Sequence, residues 1–152
     1  MKKETDERYM RIALDEAALA AKDGEIPVGA VIVRGEEIVA RAHNLCEAVH
    51  DATAHAECLA ISAACRALGS WRLSECTLYV TLEPCPMCAG AAINARVGRI
   101  VYGAKDPRMG ACESLLRLPA YPLECSPICE SGVLEAESLS LLRSFFEKRR
   151  KK

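Results

Sequence analysis

Apolar residues recur with a helical period near both ends of the chain. In residues 6–22 the apolar positions lie three to four residues apart, which predicts an amphipathic helix. Thr5 is the predicted N-cap of this helix, and Gly24 is the residue predicted to end it. A second helical pattern covers residues 134–149. The chain is therefore predicted to begin and end on helices.

Short apolar runs between these helices predict strands. Residues 28–33 and 38–40 flank the turn pair Arg34-Gly35, which predicts a β-hairpin. Residues 77–82 are rich in β-branched and aromatic side chains, and residues 99–103 form the next such run. Four strands are thus predicted from the pattern.

Two more helices are predicted between the strands. Residues 54–68 form an alanine-rich helix, with Asp51 or Thr53 as its cap and Gly69 as its end. Residues 85–94 form the second of these helices, directly after a proline. The other segments are predicted as a loop, a short helix and an irregular stretch, at 41–53, 112–117 and 118–132. Strands separated by helices indicate an α/β fold, a three-layer α/β/α domain with a mixed sheet.

Composition supports one packed domain. The chain has 152 residues and 51% hydrophobic content, enough for a core, so we expect a single domain over residues 1–152. There are nine cysteines, with neither a secretory leader nor a membrane-spanning run. We therefore expect a cytoplasmic, reducing location in which the cysteines are thiols or metal ligands.

Positive charge is concentrated at the end of the chain. The last eight residues, 145–152, carry five cations and one anion, although the whole chain has a net charge of −1. Such a tail is commonly a solvated helix end, but here it includes Phe145 and Phe146. Cations next to aromatic rings also suit contacts with phosphates and bases.

The candidate chemistry lies in two half-motifs. His55 and Glu57 are two residues apart, and Pro84-Cys85-Pro86-Met87-Cys88 starts 27 residues after Glu57. An imidazole and two thiolates suit Zn²⁺, and three protein ligands leave a fourth position for water. The free carboxylate, Glu57, can then move protons. This His-x-Glu and Pro-Cys-x-x-Cys pattern is typical of zinc-dependent nucleoside and nucleobase deaminases.

Structural zinc and redox chemistry are the alternatives to a catalytic metal. A structural site needs a fourth Cys or His at matching spacing, and Cys125 and Cys129 do not have it. A redox Cys-x-x-Cys motif does not require a paired His-x-Glu motif. The agreement of both half-motifs in type, order and gap favours catalytic zinc.

Three segments resemble the bacterial tRNA adenosine deaminases, a family of the cytidine deaminase superfamily. They are Thr-Ala-His-Ala-Glu at 53–57, Thr-Leu-Glu-Pro-Cys-Pro-Met-Cys-Ala-Gly at 81–90 and Arg-Val-Gly-Arg-Ile-Val-Tyr-Gly-Ala at 96–104. The resemblance implies a cytidine deaminase-like fold with a five-stranded sheet. It also implies hydrolytic deamination of the wobble adenosine in a tRNA anticodon stem-loop, giving inosine.

The resemblance further implies roles for individual residues. It makes His55, Cys85 and Cys88 the ligands of one Zn²⁺ per subunit, and Glu57 the catalytic acid and base. It implies that the target base is turned out of the stack into a pocket. It also implies a homodimer whose two subunits both touch the RNA. The implied substrate contacts are Asn44, the Ala56 N–H, Asp106, Phe146 and Arg149.

The chain departs from the family pattern at Ala52, Glu113 and residues 119–125. Two other functions stay open at this point. A small-molecule deaminase of guanine, cytosine or a nucleoside would use the same zinc and Glu57 without a basic aromatic tail. A zinc-stabilised binding module would need no carboxylate beside the metal.

Overall fold

A computed structural model describes residues 2–150, which form five helices, five strands and one 3₁₀ turn. The helices are α1 (Lys2–Lys22), α2 (Cys46–Val49), α3 (Ala56–Leu68), α4 (Pro86–Asn94) and α5 (Glu135–Arg150). The strands are β1 (Gly29–Arg34), β2 (Glu37–His43), β3 (Cys76–Leu82), β4 (Arg99–Ala104) and β5 (Ile128–Glu130). The 3₁₀ turn is Leu118–Ala120.

The five strands form one mixed sheet in the order β2-β1-β3-β4-β5. β1 is antiparallel to β2 and to β3, whereas β3, β4 and β5 are parallel. The register pairs Val80 of β3 with Ala30 of β1 and with Tyr102 of β4. The predicted five-stranded mixed sheet is confirmed.

The sheet is covered on both faces, as predicted. Alternate residues of β1 face opposite ways, so Ala30 and Ile32 pack in the core with α3 and α4. Val31 and Val33 pack in the second core with Tyr9 of α1. Helix α5 also contacts α1, β3 and β4. The three-layer α/β/α architecture is therefore confirmed.

Helix α1 approaches β1 very closely. A Cβ placed on Gly29 would lie 1.9 Å from the Ala13 carbonyl oxygen, so only glycine fits at this contact. The α1 helix ends near Gly24, whose φ of 82° is the left-handed conformation that terminates helices. This part of the prediction is confirmed.

A buried ion network holds the start of α1 against the sheet. Arg99 donates to both carboxylate oxygens of Asp6, at 2.8 and 2.6 Å, and to Glu130 at 2.7 Å. Tyr79 donates to Asp6 at 2.8 Å. Four elements, α1, β3, β4 and β5, are thereby joined at the edge of the sheet where β4 begins.

Several predicted boundaries are wrong. Thr5 is not the N-cap, because α1 already runs from Lys2. Helix α3 begins at Ala56 with His55 as its N-cap, and Asp51 instead bonds the N–H and hydroxyl of Thr53. The short helix α2 lies in the segment predicted as a loop.

The predicted helix over 112–117 is also wrong, for a clear physical reason. The N–H groups of Cys112, Glu113 and Ser114 all donate to the Glu83 carboxylate instead of to helical carbonyls. Strand β5 lies in the stretch predicted to be irregular, and it is only three residues long. A strand of three residues is too short to show the alternation of apolar and polar residues that predicts a strand.

None of the helices in residues 2–150 combines the length and the apolar character needed to span a bilayer. The basic tail predicted over 145–152 is described as far as Arg150, and Lys148, Arg149 and Arg150 form the last turn of α5. Lys151 and Lys152 belong to the predicted tail but lie outside the described residues.

Candidate metal centre and active-site cavity

The sheet topology brings four chain segments to one edge of the fold. β3 and β4 are parallel, so Glu83 and Asp106, which follow them, lie at the same edge. β1 is antiparallel to both its neighbours, so Val28 before β1 and Asn44 after β2 also lie there. Ligand sites of open α/β sheets form at the carboxyl ends of parallel strands.

Three predicted ligands meet at this edge. The His55 Nδ1 atom lies 3.5 Å from the Cys85 Sγ and 3.5 Å from the Cys88 Sγ. The three ligand atoms all lie within 4.8 Å of one another. Tetrahedral Zn²⁺ with ordinary Zn–S and Zn–N bonds separates a sulfur from a nitrogen by about 3.6 Å. The observed spacing therefore fits one such ion with three of its four coordination positions taken by protein ligands.

Both ligand-bearing elements are helix N-termini. His55 is the N-cap of α3, Cys85 is the N-cap of α4, and Cys88 lies in the first turn of α4. Hydrogen bonds from the Cys88 thiol, His55 and the Cys88 N–H lower the pKa of Cys85 to about 4, against the opposing effect of burial. Because a metal binds thiolate, this environment prepares Cys85 as a ligand.

Glu57 lies in the first turn of α3, beside this cluster. Its side chain is buried, and among the described residues its Oε1 atom has no hydrogen-bond partner. Burial raises the pKa of Glu57 to about 7. A buried carboxylate oxygen without a partner is costly unless a ligand uses it. The carboxylate is thus available to exchange protons with a molecule in the site.

A cavity of about 270 Å³ opens in front of the cluster. Its lining includes six predicted site residues, the last of which lies on α5: His55, Glu57, Cys85, Asn44, Asp106 and Arg149. Ile26, Val28, Leu82 and Met109 supply apolar walls. Apolar walls with a few convergent polar groups are typical of small-ligand sites.

Two predicted substrate contacts are bonded to each other. The Ala56 N–H donates to the Asn44 Oδ1 at 2.8 Å, and both groups are buried. This bond ties the end of β2 to the start of α3. Because the Ala56 N–H is not a free donor here, its predicted contact with a base would require sharing it with Asn44.

Asp106 lines the cavity and also shapes its own loop. Its Oδ1 accepts from the N–H groups of Arg108 and Met109, at 3.0 and 3.2 Å. Its own N–H donates to Glu83 at 3.0 Å. Asp106 therefore combines a position at the cavity with a turn-forming role. Its predicted contact with the ribose stays a prediction.

Phe145 and Phe146 lie on different sides of α5. Phe145 is buried at 8% exposure, whereas Phe146 is 42% exposed. Arg149 lies over the Phe145 ring at 4.8 Å and donates to the Gly24 carbonyl at 2.9 Å. This distribution agrees with Phe145 as a core residue and leaves Phe146 accessible. RNA contacts by Phe146 and Arg149 stay predictions.

The sequence interpretation missed Glu83 and Glu25, two buried carboxylates at the cavity. The Glu83 carboxylate accepts from the N–H groups of Asp106, Cys112, Glu113 and Ser114 and from the Ser114 hydroxyl. Glu25 accepts from the N–H groups of Glu47 and Ala48, at 2.9 and 2.8 Å. In both cases the signal in the sequence was a single acidic residue next to an apolar strand.

Glu113, the departure from the family pattern, points into the protein. Its carboxylate accepts from the Tyr102 hydroxyl and lies 3.7 Å from the Lys105 ammonium. Tyr102 is buried at 1% exposure. The negative charge of Glu113 therefore has two partners within the protein, the Tyr102 hydroxyl and the Lys105 ammonium.

An α/β/α fold with a His-Cys-Cys cluster and a buried glutamate beside it defines the class of metal-dependent deaminases. The MafB19-like deaminase family model matches residues 4–148. The tRNA-specific adenosine deaminase of Bacillus subtilis (strain 168) is 50% identical over 150 residues, covering 97% of this chain and 92% of the relative.

Two solved structures are also similar. A tRNA:A34 deaminase, studied for A-to-I editing at the wobble position of transfer RNA, has a TM-score of 0.87 at 46% identity. The match covers 89% of this chain and 99% of the tRNA:A34 deaminase chain. The guanine deaminase of Bacillus subtilis has a TM-score of 0.62 at 42% identity, covering 65% of this chain and 64% of its own. The chain belongs to the family of tRNA-specific adenosine deaminases, with a cytidine deaminase-like fold.

We expect Cys85→Ser to remove most of the metal from the purified protein, because one of three ligands is lost. The wild-type chain should hold about one zinc ion, measured by elemental analysis against protein concentration. Cys46→Ser is the matched control, since Cys46 lines the same cavity without belonging to the ligand cluster. Equal zinc contents in the two variants would contradict the assignment.

Proposed function

We propose that this protein deaminates the wobble adenosine, position 34, of tRNA by hydrolysis, giving inosine and ammonia. Family membership supports the reaction type and the substrate named for the relatives. The observation that carries the proposal is the buried Glu57 carboxylate, which borders the cavity beside three metal-binding side chains and whose Oε1 atom has no partner among the described residues. The whole chain would act as one domain.

The metal belonging to this site is one Zn²⁺ per subunit, held by His55, Cys85 and Cys88. When bound, it supplies an activated water by lowering the pKa of that water to about 7. The thiolate character of Cys85 and the nitrogen-to-sulfur spacing of 3.5 Å both support this donor set. Two thiolates and one imidazole favour zinc over harder cations.

Glu57 would move the protons of the reaction. A group with a pKa near 7 can both accept and donate a proton at neutral pH, and burial raises the pKa of Glu57 to about 7. Glu57 would take a proton from the attacking water and give it to N1 of the adenine ring. It would then take the remaining proton from the new hydroxyl on C6 and give it to the departing amine, which leaves as ammonia while C6 becomes the carbonyl of inosine.

The cavity would hold a single flipped base. Its apolar walls suit a purine ring, and Asn44 and Asp106, which also line the cavity, would contact the nucleotide. The Asn44 Oδ1 is bonded to Ala56, which leaves the Asn44 amide NH₂ to donate to the nucleotide. Arg149 and Phe146 on α5 would contact the anticodon stem-loop by charge and by stacking.

A free-base deaminase is the second candidate function. The 42% identity to a guanine deaminase supports it, although that match spans 65% of this chain. The same cavity, metal ligands and Glu57 would serve both reactions. The substrate therefore has to be distinguished directly.

We expect inosine to form in an anticodon stem-loop that carries adenosine at the wobble position, and no ammonia from free guanine, cytosine or adenine. Glu57→Gln should lower the rate at least about 100-fold, since general acid–base catalysis contributes 10²–10⁴-fold. Zinc content should be unchanged in this variant. Ammonia from a free base without inosine in the RNA would favour the second candidate, and full activity of Glu57→Gln would exclude both.

We expect Phe146→Ala to weaken stem-loop binding about tenfold without lowering the melting temperature. Stacking on one base contributes about 1–3 kcal/mol, and 1.4 kcal/mol corresponds to tenfold. Phe145→Ala is the paired control: because Phe145 is buried, this variant should lose about 3 kcal/mol of stability. Filter binding and thermal melts measure both quantities. Unchanged RNA affinity in Phe146→Ala would leave this ring without a role in binding.

A homodimer and a cytoplasmic location complete the proposal. Four large apolar side chains are 38–55% exposed within nine residues: Leu115, Leu116, Tyr121 and Leu123. The 3₁₀ turn inside this stretch contacts α4, the helix that carries Cys88. An exposed apolar patch of this kind is typical of an interface between subunits. A tRNA substrate supports the proposed cytoplasmic location.

We expect a solution mass of twice 16.5 kDa, measured by light scattering. The double substitution Leu115→Asp and Tyr121→Asp should produce monomers, because two charges would be buried in the apolar interface. Leu19→Asp is the control, since Leu19 is 46% exposed on α1 at the opposite face of the sheet. Dimers that persist in the double variant would mean that another surface joins the subunits.

A further inference from the structure

Cys58 is a thiol beside the metal ligands that the proposed chemistry does not use. It follows Glu57 in the first turn of α3, and its Sγ lies 3.6 Å from the Cys88 Sγ on α4. The three side chains whose ligand atoms lie within 4.8 Å of one another do not include Cys58. Cys58 is therefore a neighbour of the metal cluster and not a fourth ligand.

The two cysteine ligands have different surroundings. Cys85 is half-buried at the helix N-cap, where the Cys88 N–H hydrogen-bonds its sulfur. Cys88 is fully buried, with 0% exposure, so water cannot reach its sulfur. A buried thiolate that binds a metal keeps part of its negative charge, and a hydrogen-bond donor stabilises that charge.

Few groups can meet that need. Among the described residues, the side chains that approach the Cys88 sulfur within hydrogen-bond distance are His55, Cys85, Cys58 and Glu57. His55 and Cys85 are ligands of the same ion, so their ligand atoms point at the metal. Glu57 carries the protons of the proposed reaction, so its carboxyl group serves the substrate. Cys58 is left as the donor to the Cys88 sulfur, through its S–H group.

We infer that Cys58 is a positioning residue of the metal centre, and that its thiol donates a hydrogen bond to the Cys88 sulfur. This bond would stabilise part of the negative charge on the Cys88 thiolate and fix the orientation of the Cys88 side chain. The inference rests on the proposed metal site but not on the identity of the substrate. Groups that hold metal ligands in this way typically contribute 10–100-fold to metal affinity.

The test measures metal binding directly. Zinc affinity is determined by competition with a chromophoric chelator for the wild type, Cys58→Ala, Cys58→Ser and Cys65→Ala. Cys65 is the matched control because it is another half-buried thiol on α3, seven residues further along. The cobalt-substituted proteins are compared by their thiolate-to-cobalt charge-transfer absorption, which reports the sulfur environment.

We expect Cys58→Ala to weaken zinc binding about 10–100-fold and to shift the cobalt absorption. Cys58→Ser keeps a donor, so it should recover much of the affinity, while Cys65→Ala should match the wild type. The inference is wrong if Cys58→Ala binds zinc as tightly as Cys65→Ala, or if the serine and alanine variants behave alike. Failure of the stem-loop assay would instead contradict the proposed substrate and leave these affinities unaffected.

Discussion

The site depends on two helix N-termini that are held against one edge of the sheet. His55 caps α3 and Cys85 caps α4, and their ligand atoms lie 3.5 Å apart although 30 residues separate them in the chain. Helix dipoles and free N–H groups favour thiolate at such ends. The parallel pair of β3 and β4 fixes where α4 starts, and the Asn44–Ala56 bond fixes where α3 starts. The ligand geometry is therefore a consequence of the sheet.

Glu83 organises the other wall of the cavity. Five donors from the single loop between β4 and the 3₁₀ turn converge on its carboxylate, and a Cβ on Gly110 would lie 2.4 Å from its Oε1, so this loop closes tightly around it. The first part of the loop contains Asp106 at the cavity. The last part leads from Ser114 into the exposed apolar segment at 115–123. One buried carboxylate thus links the substrate wall to the proposed subunit interface.

Sequence reasoning predicted the parts of the structure that local patterns encode. The long helices, the first four strands and the His55, Cys85 and Cys88 cluster all follow from period, spacing and residue type. It failed where groups that are distant in the sequence determine the conformation of the backbone. Residues 112–117 look helical, but their N–H groups bind a carboxylate some 30 positions earlier in the chain. Strand β5 exists because it pairs with β4, and its three residues carry no pattern of their own.

The two buried glutamates at this edge show how one residue type serves structure and chemistry. Burial alone would raise the pKa of both carboxyl groups. At Glu83 the hydrogen bonds from Ser114 and from neighbouring N–H groups outweigh burial, so its pKa is below the ordinary value and the group stays charged. Glu57 has a buried oxygen without a partner in the described chain, and its pKa rises to about 7. Carboxylates whose surroundings push their pKa values apart take different roles. Because donors saturate Glu83, Glu57 is the one of these two glutamates that can exchange a proton with a ligand in the cavity.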